Sequence, residues 1–330
     1  MLEYWRRTLS REPSAGIVSA AIAAIAVCAY VVAVDAGAGR AFGAAASSRA
    51  APCRWYTNAF PALRGGTLTD VGGTARDDVW VVGYVRGSNT SVAFHWNGRS
   101  WRRSPIGRGE VRALAAFGVD DVWAVGLETT RDGNFVGLIV HWDGQRWRRV
   151  QLPRGVLGAS LWDVGGSRPD DVWAVGSSSS VDGLTLAERA VALHWDGRRW
   201  QTVPLPPPAR RPTPADPGEP KPPVVIDIEG FPHGVAARSR SDAWIVGSTG
   251  GDPSSPLAWH WNGVRWRLVG APGPPQLRGL EAVTIVARDD VWAMGPGDDR
   301  VVHWDGRRWH VPPQPKPQRD SEVNALASGR

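Results

Sequence analysis

Five histidines recur in this 330-residue sequence, and each is followed directly by tryptophan: His95, His141, His194, His260 and His303. Imidazole can bind metal ions or transfer protons, but a metal site needs ligands that converge on one point. Histidines that occupy the same position of successive repeats do not converge. We therefore predict that each one makes a structural hydrogen bond within its own unit, and we predict no metal site and no cofactor.

Paired aspartates recur in the same way, at Asp77-Asp78, Asp120-Asp121, Asp170-Asp171 and Asp289-Asp290. Aspartate favours tight turns, and paired catalytic carboxylates would not recur in almost every unit. The sequence also shows no nucleophile beside a base. We therefore interpret the aspartates as turn residues and predict no catalytic residue.

These histidines and aspartates belong to a repeat that begins near residue 65. Its first motif, Asp-Val-Trp-Val-Val-Gly at 78–83, recurs at 121–126, 171–176, 242–247 and 290–295. Its second motif, His-Trp-Asn-Gly followed by Trp101, recurs at 141–147, 194–200, 260–266 and 303–309. The repeat explains most of the 19 tryptophans in the chain.

Each copy of the second motif contains Asn-Gly or Asp-Gly between apolar residues, which is a strong β-hairpin signal. A two-residue turn at Asn97-Gly98 would pair Trp96 with Arg99 and Phe94 with Trp101. Because side chains alternate along a strand, we expect the aromatic residues to share one face and His95 to lie on the other.

Four short strands per unit indicate an all-β fold, a β-propeller. We expect strand a around Val71, strand b at 79–82, strand c at 93–96 and strand d at 100–104. The repeat predicts five complete four-stranded blades and a partial sixth, built from a strand d at 54–61 and a strand a at 323–327. A sixth blade that lacks strands b and c is either skeletal or truncated, and we favour truncation. Ten prolines in the insertion at 204–223 predict a solvated loop between blades.

The two motifs, DVWAVG and HWDGxxW, resemble the tandem repeats of secreted or membrane-anchored bacterial β-propeller proteins of the kind common in actinobacteria and myxobacteria. The resemblance covers about residues 53–330. It implies the propeller fold and leaves the function open.

The N-terminal region carries a membrane signal. Residues 15–34 contain no charge, and Arg6, Arg7 and Arg11 precede them. Twenty apolar residues are long enough to cross a bilayer, and the basic flank should remain inside. We predict a cytoplasmic N-terminus at 1–14, a transmembrane helix or signal anchor at 15–34, a flexible stalk at 35–52 and an extracytoplasmic propeller at 53–330 on the cell membrane. Cleavage as a signal peptide, which would give a secreted protein, is the alternative.

The inner strand a offers a candidate binding site. One apolar position repeats along it, at Val71, Leu114, Val164, Val235, Val283 and Leu326. Two residues earlier, and so on the same side of the strand, the residue types vary: Thr69, Arg112, Trp162, His233, Glu281 and Asn324. We predict that these six line the channel mouth and bind a small polar ligand or a sugar. Ordinary strand-end residues in contact with channel water are the alternative interpretation.

The basic residues suggest a second surface. Of 38 Lys and Arg only two are Lys, which argues against nucleic acid as a partner. Strand d carries Arg99, Arg102, Arg103, Arg146, Arg148, Arg149, Arg198, Arg199, Arg265, Arg267, Arg307 and Arg308. These side chains could attract anionic lipid headgroups or wall polymers, or could prevent unwanted pairing of edge strands.

The sequence therefore favours a non-catalytic, membrane-tethered propeller that binds or scaffolds an envelope protein or polymer, with an anionic lipid or a glycan as further candidates. One alternative is an enzyme of the sialidase, glycosidase or lyase type, for which His233 and Glu281 are the one acid–base pair available. Another is a structural subunit whose open blade is completed by a partner.

Overall fold

The computed structural model describes residues 60, 61, 63–154, 156, 158–182, 185–208, 225–228, 230–250, 254–270, 273, 277–296 and 300–313, without the side chains of 180–187 and 225–228. This part of the chain contains strands and turns but no helix, so no helix in it could span a membrane. The predicted segments 1–14, 15–34 and 35–52 lie outside the described residues. So do most of 54–61 and 204–223, all of 323–327, and both cysteines.

Five four-stranded antiparallel sheets follow one another along the chain, each in the simple order of its strands. The prediction of five complete blades is confirmed. The first blade contains β1 (Gly66–Ala75), β2 (Asp78–Val85), β3 (Thr90–Trp96) and β4 (Trp101–Arg108). The second contains β5 (Glu110–Gly118), β6 (Asp121–Thr129), β7 (Phe135–Trp142) and β8 (Trp147–Val150).

The third blade contains β9 (Ala159–Arg168), β10 (Asp171–Asp182), β11 (Thr185–Trp195) and β12 (Trp200–Thr202). A further strand, β13 (Val225–Ile228), pairs in parallel with β11. The fourth blade contains β14 (Phe231–Ser239), β15 (Asp242–Ser248), β16 (Pro256–Trp261) and β17 (Trp266–Leu268). The fifth contains β18 (Ala282–Ala287), β19 (Asp290–Met294), β20 (Val301–Trp304) and β21 (Trp309–His310).

The blades pack through their inner strands, in the sequence β1, β5, β9, β14 and β18. All five inner strands line one central cavity of about 660 Å³, mostly through small and apolar residues. Neighbouring inner strands around a shared channel are the arrangement of a β-propeller.

Tryptophans join each blade to the next. Trp80 of the first blade lies 5.4 Å from Trp142 and 5.9 Å from Trp147 of the second, measured between ring centroids. The same two contacts recur in the next three blades, where the centroid distances to the two tryptophans of the second motif in the following blade are 4.9 to 5.4 Å; the residues that make them are Trp123, Trp173 and Trp244. Since an aromatic pair contributes about 0.5–1.5 kcal/mol beyond its buried area, these trios stabilise the interfaces between blades.

The predicted two-residue turn between strands c and d is wrong. Trp96 pairs with Trp101, and Asn97 N–H donates to the Ser100 carbonyl, so the turn has four residues. The reason is the Asn97 side chain, whose Oδ1 accepts the N–H groups of Arg99 and Ser100. The homologous Asp143, Asp196, Asn262 and Asp305 accept the same two N–H groups.

The prediction that the paired aspartates are turn residues holds for the first of each pair but is wrong for the second, which begins strand b and accepts a hydrogen bond from the histidine of its blade. The first of each pair occupies the turn between strands a and b, and it packs on the glycine of the c–d turn in the same blade. A Cβ added at Gly98 would lie 2.8 Å from the Asp77 Cβ, and a Cβ at Gly144 would lie 2.9 Å from that of Asp120. Because Gly98 also has a φ of +83°, this position accepts glycine alone without strain.

The chain on either side of the insertion between the third and fourth blades contacts the blades. The indole of Trp259 donates to the carbonyl of Pro206 at 2.9 Å. On the other side of the proline-rich stretch, β13 extends the long hairpin of β10 and β11.

Candidate functional site

The repeated histidines form the structural hydrogen bonds that the sequence predicts. His95 Nε2 donates to Asp78 Oδ1 at 2.8 Å, and its ring stacks on Trp80 with 4.2 Å between centroids. The other four blades repeat this Asp–His bond at 2.7 to 2.9 Å and the Trp–His contact at 4.2 to 4.6 Å. These hydrogen bonds and ring contacts join strands b and c. Because the repeated histidines have this structural role, the candidate site consists of the positions that vary from blade to blade. Within the described residues, no three His, Cys, Asp or Glu side chains are grouped to hold a metal ion.

The variable positions of the inner strands are β-bulges. Leu68 pairs with Gly83 and Asp70 with Val82, so Thr69 is an extra residue between them. Arg112, Trp162 and His233 are the extra residues at the equivalent points of β5, β9 and β14. A bulge turns a side chain away from the regular alternation of the strand and is common beside binding sites.

The glycine that ends the first motif makes room for the bulge. A Cβ at Gly126 would lie 1.9 Å from the Glu110 carbonyl oxygen, and one at Gly176 would lie 2.0 Å from that of Ser160. Gly247 meets the Phe231 carbonyl in the same way, at 2.0 Å. The repeated motif therefore fixes the backbone that presents the variable residue.

Three of the predicted site residues lie next to one another across successive blades. The guanidinium carbon of Arg112 lies 3.8 Å from the ring centroid of Trp162, which is a cation–π contact. On the next blade, the His233 ring centroid lies 6.1 Å from that of Trp162. His233 Nε2 is 3.4 Å from the hydroxyl of Ser248. We refer to Arg112, Trp162 and His233 as the channel-mouth stack, after their predicted position; none of the three is among the residues that line the central cavity.

Burial shifts the titration of the groups at this site. It lowers the pKa of Arg112, against the opposing effect of the negative charge of Glu110. It also lowers the pKa of His233, which is therefore neutral at neutral pH, and raises the pKa of Glu281. The stack thus has one cation, one indole and one neutral imidazole.

The other predicted residues are placed differently. Thr69 donates its hydroxyl to the Val111 carbonyl of the second blade at 2.9 Å, so it joins two blades. Glu281 directly precedes β18, its side chain is only partly buried, and its N–H donates to the Met294 carbonyl. His233 and Glu281 form no ion pair or hydrogen bond with each other in the described part of the chain. Asn324 lies outside the described residues.

The repeated apolar position is buried in four blades, at Leu114, Val164, Val235 and Val283, but Val71 is 53% exposed. In the second blade this side chain covers the inner strand of the preceding blade: a Cβ at Gly72 would lie 2.8 Å from Leu114 Cδ1. No blade precedes β1 among the described residues, so Val71 has no such strand to cover.

Sequence reasoning missed two carboxyls on the inner strands. Asp70 accepts the N–H of Val71 at 2.8 Å and that of Leu114, in the next blade, at 2.7 Å. Asp163 accepts the N–H of Val164 at 2.8 Å and that of Val235, in the fourth blade, at 2.7 Å. Burial raises the pKa of Asp70 to about 6 and that of Asp163 to about 7. Because both oxygens of each carboxyl bind backbone N–H groups, they act as clamps between blades.

The arginines of the outer strands are mostly exposed. Arg148 pairs with Asp143, and Arg149 pairs with Glu128. Exposed ion pairs of this kind contribute little to stability.

No protein-family model and no curated protein matches the chain. Solved structures do match. Aleuria aurantia lectin, described as a six-bladed β-propeller with a novel mode of fucose recognition, has 13% identity and a TM-score of 0.47, over 77% of this chain and 80% of the lectin. A thermostable family-43 glycoside hydrolase has 9% identity and a TM-score of 0.44, over 77% of this chain and 95% of the hydrolase. The RRP9 WD40 repeats have 10% identity and a TM-score of 0.47, over 78% of this chain and 67% of RRP9. Identities this low carry no information on activity or ligand.

Proposed function

We propose that this protein is a non-catalytic, membrane-tethered β-propeller that binds a small polar ligand, in particular a sugar of the cell envelope, at the mouth of its channel. The observation that supports this proposal is the channel-mouth stack. Three residues that differ from blade to blade come together across three neighbouring inner strands, while the rest of each blade repeats.

The stack has the chemistry of a polar binding site. The guanidinium and the neutral imidazole offer hydrogen bonds and the indole ring offers apolar contact in one place, as small-ligand sites require. The alternative, ordinary strand-end residues, predicts side chains that point separately into solvent. The 3.8 Å contact of Arg112 with Trp162 favours the first interpretation.

The membrane tether rests on the uncharged run at 15–34, and the partner class follows from it. A propeller held outside the bilayer faces envelope polymers and glycans. The exposed arginines of the outer strands would add attraction toward anionic lipid or polymer.

A glycan array tests the proposal. The full-length chain, purified in mild detergent, is applied together with Trp162→Ala and Phe135→Ala. Phe135 is a matched control, because it is an aromatic residue 53% exposed at the start of β7 rather than on an inner strand.

We expect the wild type and Phe135→Ala to bind the same glycans, and Trp162→Ala to lose them. Absence of glycan binding by the wild type would refute the proposal, and so would equal binding by all three proteins. A soluble product released from any arrayed glycan would indicate an enzyme instead.

A further inference from the structure

The guanidinium of Arg112 has no partner for its N–H groups within the described part of the chain. It forms no hydrogen bond and no ion pair with the described residues. Its electrostatic neighbours, Glu110 and Tyr84, act at longer range. Arginine carries five N–H donors, and a half-buried one is normally paired.

Two other contacts hold this group in place. The guanidinium carbon lies over the ring of Trp162, 3.8 Å from its centroid. The backbone of Arg112 is fixed by its bulge opposite Gly126. A cation held in this way with unpaired donors is preorganised for a planar anion, because guanidinium matches carboxylate in a two-bond geometry.

The neighbouring groups add no second positive charge. Burial lowers the pKa of His233, so its imidazole is uncharged at neutral pH, and it lies beside the hydroxyl of Ser248; both groups can hydrogen-bond to the hydroxyls of a ligand. A ligand that satisfies all of these groups has one carboxylate and several hydroxyls.

The geometry points to a carboxylate-bearing sugar, such as a uronic acid, as the ligand class of this site, with Arg112 binding the carboxylate. This inference rests on the proposed function, since it names the ligand of the same stack. It assigns Arg112 as the residue that distinguishes acidic from neutral sugars.

The test is titration calorimetry of the full-length chain with methyl β-D-glucuronide and with methyl β-D-glucoside, which differ at one carbon. The variants are Arg112→Gln and, as a matched control, Arg131→Gln, which removes an exposed arginine from the loop between β6 and β7. The control accounts for the general attraction of an anion to a chain of net charge +6.

We expect the wild type to bind the glucuronide at least about tenfold more tightly than the glucoside, which is the effect of one charge-assisted hydrogen-bond pair. Arg112→Gln should remove that preference, and Arg131→Gln should keep it. The inference is overturned if the glucoside binds equally well, or if Arg112→Gln leaves the preference intact; in either case the proposed sugar-binding function stands. If neither sugar binds and the array also shows no glycan, the proposed function fails as well.

Discussion

Replacing Gly126 by alanine tests the link between the repeated motif and the variable site residue. The added Cβ would lie 1.9 Å from the Glu110 carbonyl oxygen and 2.9 Å from the Val111 Cα. Both are backbone atoms, so no side-chain rotation relieves the contact. Since real Cβ atoms do not approach closer than 3.0 Å, β5 and β6 must separate locally by about 1 Å.

Overpacking in a closely packed core costs about 1–3 kcal/mol, and a contact between two backbones belongs at the upper end of this range. The same shift moves Arg112, which is the bulged residue between Val111 and Ala113. We therefore expect Gly126→Ala to lower the free energy of unfolding by about 2–3 kcal/mol and to weaken binding of methyl β-D-glucuronide.

The assay is urea denaturation followed by tryptophan fluorescence, with binding measured on the folded variant. Gly118→Ala in the same blade is the control, because the nearest atom to its added Cβ is Asp120 Oδ1 at 3.4 Å. This control should be neutral or up to about 1 kcal/mol more stable. If Gly126→Ala is as stable as Gly118→Ala, the steric argument is refuted.

Three further predictions concern the framework. Folding raises the pKa of Asp163 from 3.8 to about 7, so the folded state binds the proton more tightly and the free energy of unfolding should fall as pH rises from about 4 to 7. At 1.36 kcal/mol per pH unit the contribution of Asp163 to this fall is up to about 4 kcal/mol. Asp163→Asn should remove that contribution, the exposed Asp132→Asn should keep it, and parallel pH profiles for the three proteins would contradict burial as the cause of the raised pKa. Asp171→Ala leaves His194 and Ser167 without their acceptor and should cost about 1.5–3 kcal/mol in urea denaturation. Asp121→Ala should cost less, because the Asp121 side chain is 26% exposed and that of Asp171 is 1% exposed; equal losses would argue against burial as the cause. Trp200→Ala empties the contact with Trp123 and should cost about 3–5 kcal/mol, and a loss below about 1 kcal/mol would contradict a joining role for the trios.

The sequence predicts the blades well, because each repeated residue satisfies a local requirement. The glycine of the c–d turn needs a positive φ, and the His and Asp of each unit need each other as hydrogen-bond partners. Local requirements of this kind recur with the period of the repeat, so the strands and a structural hydrogen bond for each histidine could be predicted without coordinates, although its aspartate partner was not.

The turn length between strands c and d was predicted incorrectly, because Asn-Gly alone does not determine the turn. The Asn97 side chain captures two N–H groups and widens the loop to four residues. The distance between the repeated tryptophans contained this information, since Trp96 and Trp101 can be register partners only across four residues.

The channel-mouth stack was only partly predictable. Comparison of strands identified Arg112, Trp162 and His233 as variable, but alternation alone did not predict the bulges. Asp70 and Asp163 were not identified, because the comparison used only the two positions on either side of each of them. Their signal was an acidic residue directly before the repeated apolar position of strand a.

The central claim is that the repeated tryptophans are architecture and that Trp162 belongs to a binding site. The most direct measurement is a ¹⁵N–¹H spectrum of the indole groups of the full-length chain, titrated with methyl β-D-glucuronide, with the Trp162 signal assigned from Trp162→Phe. We expect the Trp162 signal to shift in a saturable way while those of Trp80, Trp123, Trp173 and Trp244 stay in place. A stationary Trp162 signal, or equal shifts across the repeated tryptophans, would contradict the account.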